Sequence, residues 1–279
     1  NGSKETYAYD LAGNRLKKET AEGTEIYSYN ARNQLLQMKK GGNATHYRYD
    51  LQGNMLQEAG HDGKEYAYDA LNRQISVSAN DLGQINRYDG EGLRYETEKS
   101  GKTAFYLYDR GELTAETGGD TVGRYARGYD VVYSEYNGEG GGYHIQDEAK
   151  STLFILDRNH DVKKSYRYNA FGQVLEESGE IQNRITYTGQ MYDGAMGQYY
   201  LRARFYNPTI GRFLQEDVYR GGGLNLYAYC ANNPVMYYDP SGYIEMCPIP
   251  KKEGKSKCKF ICPDCYKQES LNVALVLTM

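Results

Sequence analysis

"YAYDLAGNRL" at residues 7–16, "YSYNARNQLL" at 27–36, "YRYDLQGNML" at 47–56 and "YAYDALNRQI" at 66–75 are four copies of one short unit. In each, the Tyr-x-Tyr alternation puts both rings on one face of a strand. The Asp or Asn that follows opens a turn by hydrogen bonding to its own backbone. Four residues after the second tyrosine stand Gly13, Asn33, Gly53, Asn72, Gly92 and, in a later copy, Gly172. These are the two residue types that best tolerate a left-handed backbone, so the position reads as the corner of a tight turn. A second strand such as "LLQMKK" follows, then a polar turn such as "GGNA". Each unit is predicted to be one β-hairpin.

Working outward, "NRYDGEGLRY" (86–95), "YLYDRGELTA" (106–115) and "YRYNAFGQVL" (166–175) are further, partly decayed copies. The second tyrosines Tyr9, Tyr29, Tyr49, Tyr68, Tyr88 and Tyr108 set a period of 19 to 20 residues. A lone hairpin is not stable in water, so consecutive hairpins must stack, and the expectation is one long antiparallel sheet. Composition agrees. The chain has 31 Tyr, 6 Phe and no Trp in 279 residues. Tyrosine is a strand former with a polar tip and suits sheets whose faces are only partly dry.

A net charge of −4 gives no reason to expect a nucleic-acid partner. No run of 18 apolar residues exists, so no membrane-spanning helix is predicted. The chain begins with Asn1 inside a repeat, with no leader pattern. It reads as a piece of something longer, with upstream repeats as partners and any secretion signal also upstream.

After about residue 130 the period fades. "NGEGGG" (137–142) reads as a flexible loop, and no phosphate-binding G-x-x-x-x-G-K-[ST] occurs. Asp157 to Asp161 reads as a turn. A dense run of motifs follows: Tyr-Thr-Gly-Gln at 187–190, Tyr-Tyr-x-Arg-x-Arg-x-Tyr at 199–206 and Gly-Arg-Phe-Leu at 211–214. Then come Asn-Leu-Tyr-x-Tyr at 225–229, Asn-Asn-Pro at 232–234 and Asp-Pro-Ser-Gly at 239–242.

With the repeats, these motifs make residues 5–243 resemble the RHS/YD-repeat proteins and their RHS repeat-associated core, in the manner of polymorphic toxins and wall-associated proteins. The resemblance implies an all-β fold in which serial antiparallel hairpins coil into a hollow shell closed by the core. It implies a YD-repeat strip at 1–136, the core with its shell plug at 137–243 and a variable Cys/Lys-rich tail at 244–279. In the toxin branch the core is an aspartic autoprotease that cuts after a Pro-x4-Asp-Pro-x-Gly-Leu motif and leaves the C-terminal effector inside the shell. Pro234, Asp239, Pro240, Gly242 and Tyr243 match that motif, with Tyr243 in place of Leu. Asp217 matches the second aspartate, and the implied scissile bond is Tyr243–Ile244. The chain departs from the family pattern at Asn207, usually Asp, and at Val218, usually Pro.

Two neighbouring carboxylates cannot easily both ionise, so Asp217 and Asp239 would share one proton. The ionised one can take a proton from water, and the protonated one can polarise the carbonyl or donate to the leaving nitrogen. Arg212 and Arg204 are the candidates to orient the carboxylates or stabilise an oxyanion, whereas an arginine too close would keep both aspartates ionised and inactive. Against this, Asp-Pro-Ser-Gly makes a type I turn by itself, and Asp217 suits a cap. A non-catalytic alternative is a cell-surface module whose tyrosine stripe stacks on glycans. Either reading implies a secreted, cell-surface or wall-associated protein.

The tail carries six Lys against four acidic residues, and four of the five cysteines: Cys247, Cys258, Cys262 and Cys265. The C-x2-C half is compatible with zinc, but disulfides and free thiols suit it equally, and no other cofactor is expected. The tail itself is the expected cargo, enclosed in or docked on the shell. His46, His61, His144 and His160 are scattered and are expected at the surface.

Overall fold

The computed structural model describes residues 4–60, 63–219 and 223–243, together with the backbone of Leu275–Thr278. Each repeat is a hairpin. In the first, β1 (Lys4–Tyr9) pairs antiparallel with β2 (Arg15–Thr20). Asp10 Oδ1 accepts the backbone N–H of Ala12 at 2.9 Å and of Asn14 at 2.7 Å. Gly13 then takes a φ of +77°. Asp69 and Asp89 repeat the pattern, and Asn30 and Asn169 do so with an amide oxygen. Positive φ is found at Gly13, Asn33, Gly53, Asn72, Gly92 and Gly172 alike. This is a three-residue loop with a left-handed third residue, which is why the register shifts at the second tyrosine of a unit.

The strands follow in chain order, each antiparallel to the next, up to β17 (Val162–Tyr168) and β18 (Val174–Ser178). Leu275–Thr278 adds a strand to the outer edge of β1. The sequence period fades near residue 130, but the pairing does not. Asp147 N–H bonds Ser151 O and Lys150 N–H bonds Asp147 O, as at Asp10 to Asn14, with Lys150 in the left-handed position (φ 71°). A lysine there hides the corner from any search for Gly or Asn.

The stretch 137–142 is not the flexible loop expected. Asn137 and Gly138 form a tight turn at φ 55° and 71°, and the glycines begin the strand Glu139–Gln146. Gly141 and Gly142 lie against Tyr133 and Ile155, where a β-carbon would overlap them. They serve close packing, not mobility. His144 is likewise not at the surface. It is 8% exposed, between the Ser134 hydroxyl at 2.8 Å and the Thr152 hydroxyl at 3.2 Å.

Beyond β18 the chain folds back across one end of the coil as a plug. Its sheet comprises β19 (Met191–Asp193), β20 (Gln198–Leu201), β21 (Arg204–Asn207) and β22 (Arg212–Phe213). Left-handed corners turn their carbonyls away from the ladder, and plug side chains satisfy them. Asn232 Nδ2 donates to Gly13 O at 2.8 Å, Arg212 to Asn33 O at 2.7 Å and the Tyr227 hydroxyl to Gly53 O at 2.8 Å. Arg202 Nε donates to Gly111 O at 2.6 Å and the Tyr199 hydroxyl to Gly172 O at 2.9 Å, while the Tyr206 hydroxyl meets the neighbouring Phe171 O at 2.7 Å.

The inward tyrosines Tyr27, Tyr47, Tyr66, Tyr106 and Tyr125 pack in one core with Met191, Met196, Phe205 and Leu214 of the plug. The coil comes round on itself. Tyr7 meets Phe171 at 5.2 Å between ring centroids, and the Arg15 guanidinium lies 4.0 Å from the Phe171 ring. The molecule is an all-β shell segment closed at one end by its core.

Candidate functional site

Asp217 and Asp239, 22 residues apart in sequence, both lie on the plug and are 8% and 3% exposed. They converge on one guanidinium. Arg204 Nη2 is 2.8 Å from Asp217 Oδ2 and 3.9 Å from Asp239 Oδ2. Arg204 is itself 5% exposed, with the Phe213 ring 3.6 Å from its guanidinium carbon.

Local structure positions each group. Asp217 is anchored by its N–H to Leu226 O at 3.1 Å, and its Oδ1 accepts the Tyr219 N–H at 2.8 Å. That turn forms without the Pro usual at Val218. Asp239 Oδ1 accepts the N–H groups of Ser241 at 3.0 Å and Gly242 at 2.8 Å, so the Asp-Pro-Ser-Gly stretch is indeed a turn. Gly242 has φ +78°, and a β-carbon there would stand 2.5 Å from Leu201 O. Only glycine lets this segment lie against β20 and β21.

The turn and the carboxylate pair are therefore not alternatives. Asp239 uses one oxygen to hold its own turn, while the other faces Arg204. Arg204 Nε in addition donates to the Gly242 carbonyl, immediately before Tyr243. Its Nη1 donates to Leu226 O at 3.0 Å.

Burial, chiefly, pushes the Asp217 carboxyl above the usual carboxylate range, and the charge of Asp239 pushes the same way. Arg204 and the Tyr219 N–H pull it down without cancelling the rise. Burial, not the neighbouring carboxylate, is thus the main reason that Asp217 holds its proton more readily than an exposed carboxyl.

The other predicted residues fall in two groups. Pro234 is buried, Pro240 half-buried and Tyr243 exposed at 44%. Arg212 serves elsewhere: it donates to Asn33 O and to Asn225 Oδ1 at 3.3 Å, and stacks near Tyr29 and Tyr227. It ties the plug to a hairpin corner. Ile244, Cys247, Cys258, Cys262 and Cys265 lie outside the described residues. Cys230, the remaining cysteine, is buried.

Reading the sequence alone missed the wall against which the Asp239 segment rests. Tyr129, Asp130 and Lys150, from the shell, border a cavity of about 240 Å³ that also touches Tyr238 and Pro240. No spacing in the sequence joins residues 129–150 to 238–240, so no local signal exists for this contact.

Comparison with known proteins fits this architecture. A family model described as Teneurin YD-shell matches residues 1–235. The tRNA3(Ser)-specific nuclease WapA of Bacillus spizizenii is 32% identical over 255 residues, covering 86% of this chain and 9% of that protein. The double-stranded DNA deaminase toxin A of Burkholderia cenocepacia is 27% identical, over 85% of this chain and 19% of its own length. The toxin protein Tse5 of Pseudomonas aeruginosa is 26% identical, over 86% and 24%. The chain thus spans between about a tenth and a quarter of these relatives. Among solved structures, the crystal structure of TcdB2-TccC3-Cdc42 superposes with a TM-score of 0.55 at 18% identity, covering 86% of this chain and 17% of that one. At that identity the likeness speaks for the fold alone.

Proposed function

This chain belongs to the teneurin YD-shell family, and from that premise we propose that it is the closing segment of an RHS-type toxin shell that severs its own Tyr243–Ile244 bond and retains the C-terminal piece as cargo. One observation carries the reading. Asp217 and Asp239 meet at Arg204, and the same arginine holds the Gly242 carbonyl one residue before the bond to be cut.

In the reaction, the ionised carboxylate of the pair takes a proton from water, whose oxygen attacks the Tyr243 carbonyl carbon. The protonated carboxyl gives its proton to the Ile244 nitrogen as the C–N bond breaks, so water is added across the bond and the pair ends with one proton, as it began. Arg204 fixes the preceding carbonyl and keeps the negative charge of the pair tolerable in a buried place. A substrate on the same chain needs only one turnover, and tethering supplies a high effective concentration.

The names of the relatives, a tRNA nuclease and a DNA deaminase toxin among them, support cargo that varies while the shell does not. Such a protein would be secreted, or displayed at the cell wall. The alternative, a glycan-binding surface module, needs the tyrosine stripe on an open face. Tyr7, Tyr27, Tyr47, Tyr66, Tyr106 and Tyr125 are instead at most 7% exposed.

The test is intact mass under denaturing conditions, for wild type beside Asp217→Asn and Asp239→Asn. A break after Tyr243 in wild type alone supports the reading; an uncut wild type overturns it.

A further inference from the structure

The two aspartates reach Arg204 from different sides of the shell. Asp217 follows Glu216, whose N–H donates to Gly53 O at 3.3 Å and whose carboxylate pairs with Arg32 at 3.1 Å. That arm is tied to the second and third hairpins. Asp239 follows Tyr238, which is 4% exposed and rests on the opposite wall. There the Lys150 ammonium stands 4.3 Å from the Tyr129 ring centroid and 5.5 Å from that of Tyr238, and 3.4 Å from Asp130 Oδ2. Arg127 joins Asp130 at 3.5 Å to Glu112 at 2.9 Å. Burial, and then the neighbouring Tyr129 hydroxyl and the acids beside it, push the Tyr238 phenol up to about 12.

Lys150 takes the left-handed corner position (φ 71°) that Gly or Asn fills in the clear repeats. His160 fills the same corner at Asp157–Asp161 (φ 66°), so what sets Lys150 apart is where its ammonium is placed, not its backbone. That ammonium stands between two rings, one of them directly adjoining Asp239.

We propose that Lys150, seated on Tyr129 and Asp130, is a positioning residue for the aspartate pair: it clamps Tyr238 and so sets Asp239 against Asp217, which makes self-cleavage contingent on closure of the seventh and eighth hairpins around the plug. This rests on the self-cleavage reading above and adds its control. Neither arm alone can assemble the pair, because each is held by a different stretch of shell. A partly wound coil therefore leaves the peptide bond intact.

The experiment follows the full chain made by cell-free translation with a pulse label, scoring the cleaved fraction over time on denaturing gels. Lys150→Gly removes the ammonium and relieves the left-handed strain. It is expected to be no less stable to urea than wild type, yet to cut more slowly, by about ten- to a hundredfold for a displacement near 1 Å. Lys150→Arg keeps a cation over both rings and is expected to restore most of the rate. In Lys150→Gly the alkaline limb of the pH–rate profile should also move to lower pH, since a displaced Asp239 no longer raises Asp217 as strongly.

A wild type that cuts beside a Lys150→Gly that cuts equally fast, with an unmoved profile, overturns this inference and leaves the dyad standing. Slowing that Lys150→Arg does not relieve overturns it too. An uncut wild type overturns the dyad and this inference together. Should Lys150→Gly not fold, Lys150→Met keeps the length of the side chain and removes only the charge over the two rings. Slower cutting by that variant supports the clamp, and an unchanged rate overturns it.

Discussion

Gly53 and Gly92 occupy the same left-handed turn position, at φ +90° and +83°. Their surroundings differ. A β-carbon on Gly92 would meet nothing within 4 Å, whereas on Gly53 it would stand 2.5 Å from Glu216 Oε2 and 2.7 Å from the Tyr227 hydroxyl. Gly92→Ala should cost about 1–2 kcal/mol, the left-handed penalty alone. Gly53→Ala should cost that plus the displaced plug contacts, and urea midpoints of the two variants would separate them. A result in which both cost the same would show that the plug does not press on the third corner.

Asp217 makes a second prediction at this scale. Its folded pKa lies above the ordinary carboxylate value, chiefly through burial. The shared proton it needs is therefore present on the acid side and lost as pH rises through that raised pKa. Self-cleavage should slow on that limb, and a rate independent of pH from mildly acid to alkaline conditions would exclude the carboxylate pair.

At the scale of the element, a hairpin corner was legible wherever its chemistry was plain. Asp or Asn followed by Gly or Asn identified six corners, because the side-chain oxygen and the left-handed residue do their work locally. The corner at Asp147–Ser151 has the same hydrogen bonds but carries Lys150, so pattern reading passed over it. Likewise the glycines at 141 and 142 read as slack in the sequence and are packed strand.

The plug meets these corners through single hydroxyls and amides. Removing one from a buried carbonyl leaves that carbonyl unmet, at a cost of roughly 1–3 kcal/mol. Tyr199→Phe, which withdraws the donor from Gly172 O, should lower stability by that much and speed amide exchange in the hairpin of β17 and β18. Unaltered exchange there would mean that the corner holds itself without the plug.

For the whole molecule, closure depends on groups buried between shell and plug. Arg94 and Asp193 form one such pair at 0% and 4% side-chain exposure. Losing Asp193 would strand a buried cation, a loss of about 3–5 kcal/mol. His144 makes the molecule sensitive to acid. Burial, with the charge of Arg127, lowers its pKa to about 4 from 6.5, against the weaker pull of Asp130. The folded state holds its proton less well than the unfolded chain does. The neutral histidine's contribution is thus fully present above pH 6.5 and lost as pH falls through about 4, up to about 3 kcal/mol in all. His144→Gln should flatten the fall in thermal midpoint across that window; an unchanged slope would place the acid response elsewhere.

The sequence by itself determined the repeating hairpin, the face its tyrosines share, the left-handed corners and the two aspartates in their motifs. All of these depend on neighbours within a few residues, where side-chain alternation and turn chemistry leave little choice. Only the tertiary structure decided that Arg204 rather than Arg212 joins Asp217 to Asp239, and that His144 is buried. It also decided that Tyr238 lies against Tyr129 and Lys150 across the wall. The contacts of Tyr238 join segments about 90 to 110 residues apart around a closing coil. The radius of that coil follows from the summed twist of its strands and the size of its plug, which no local pattern carries.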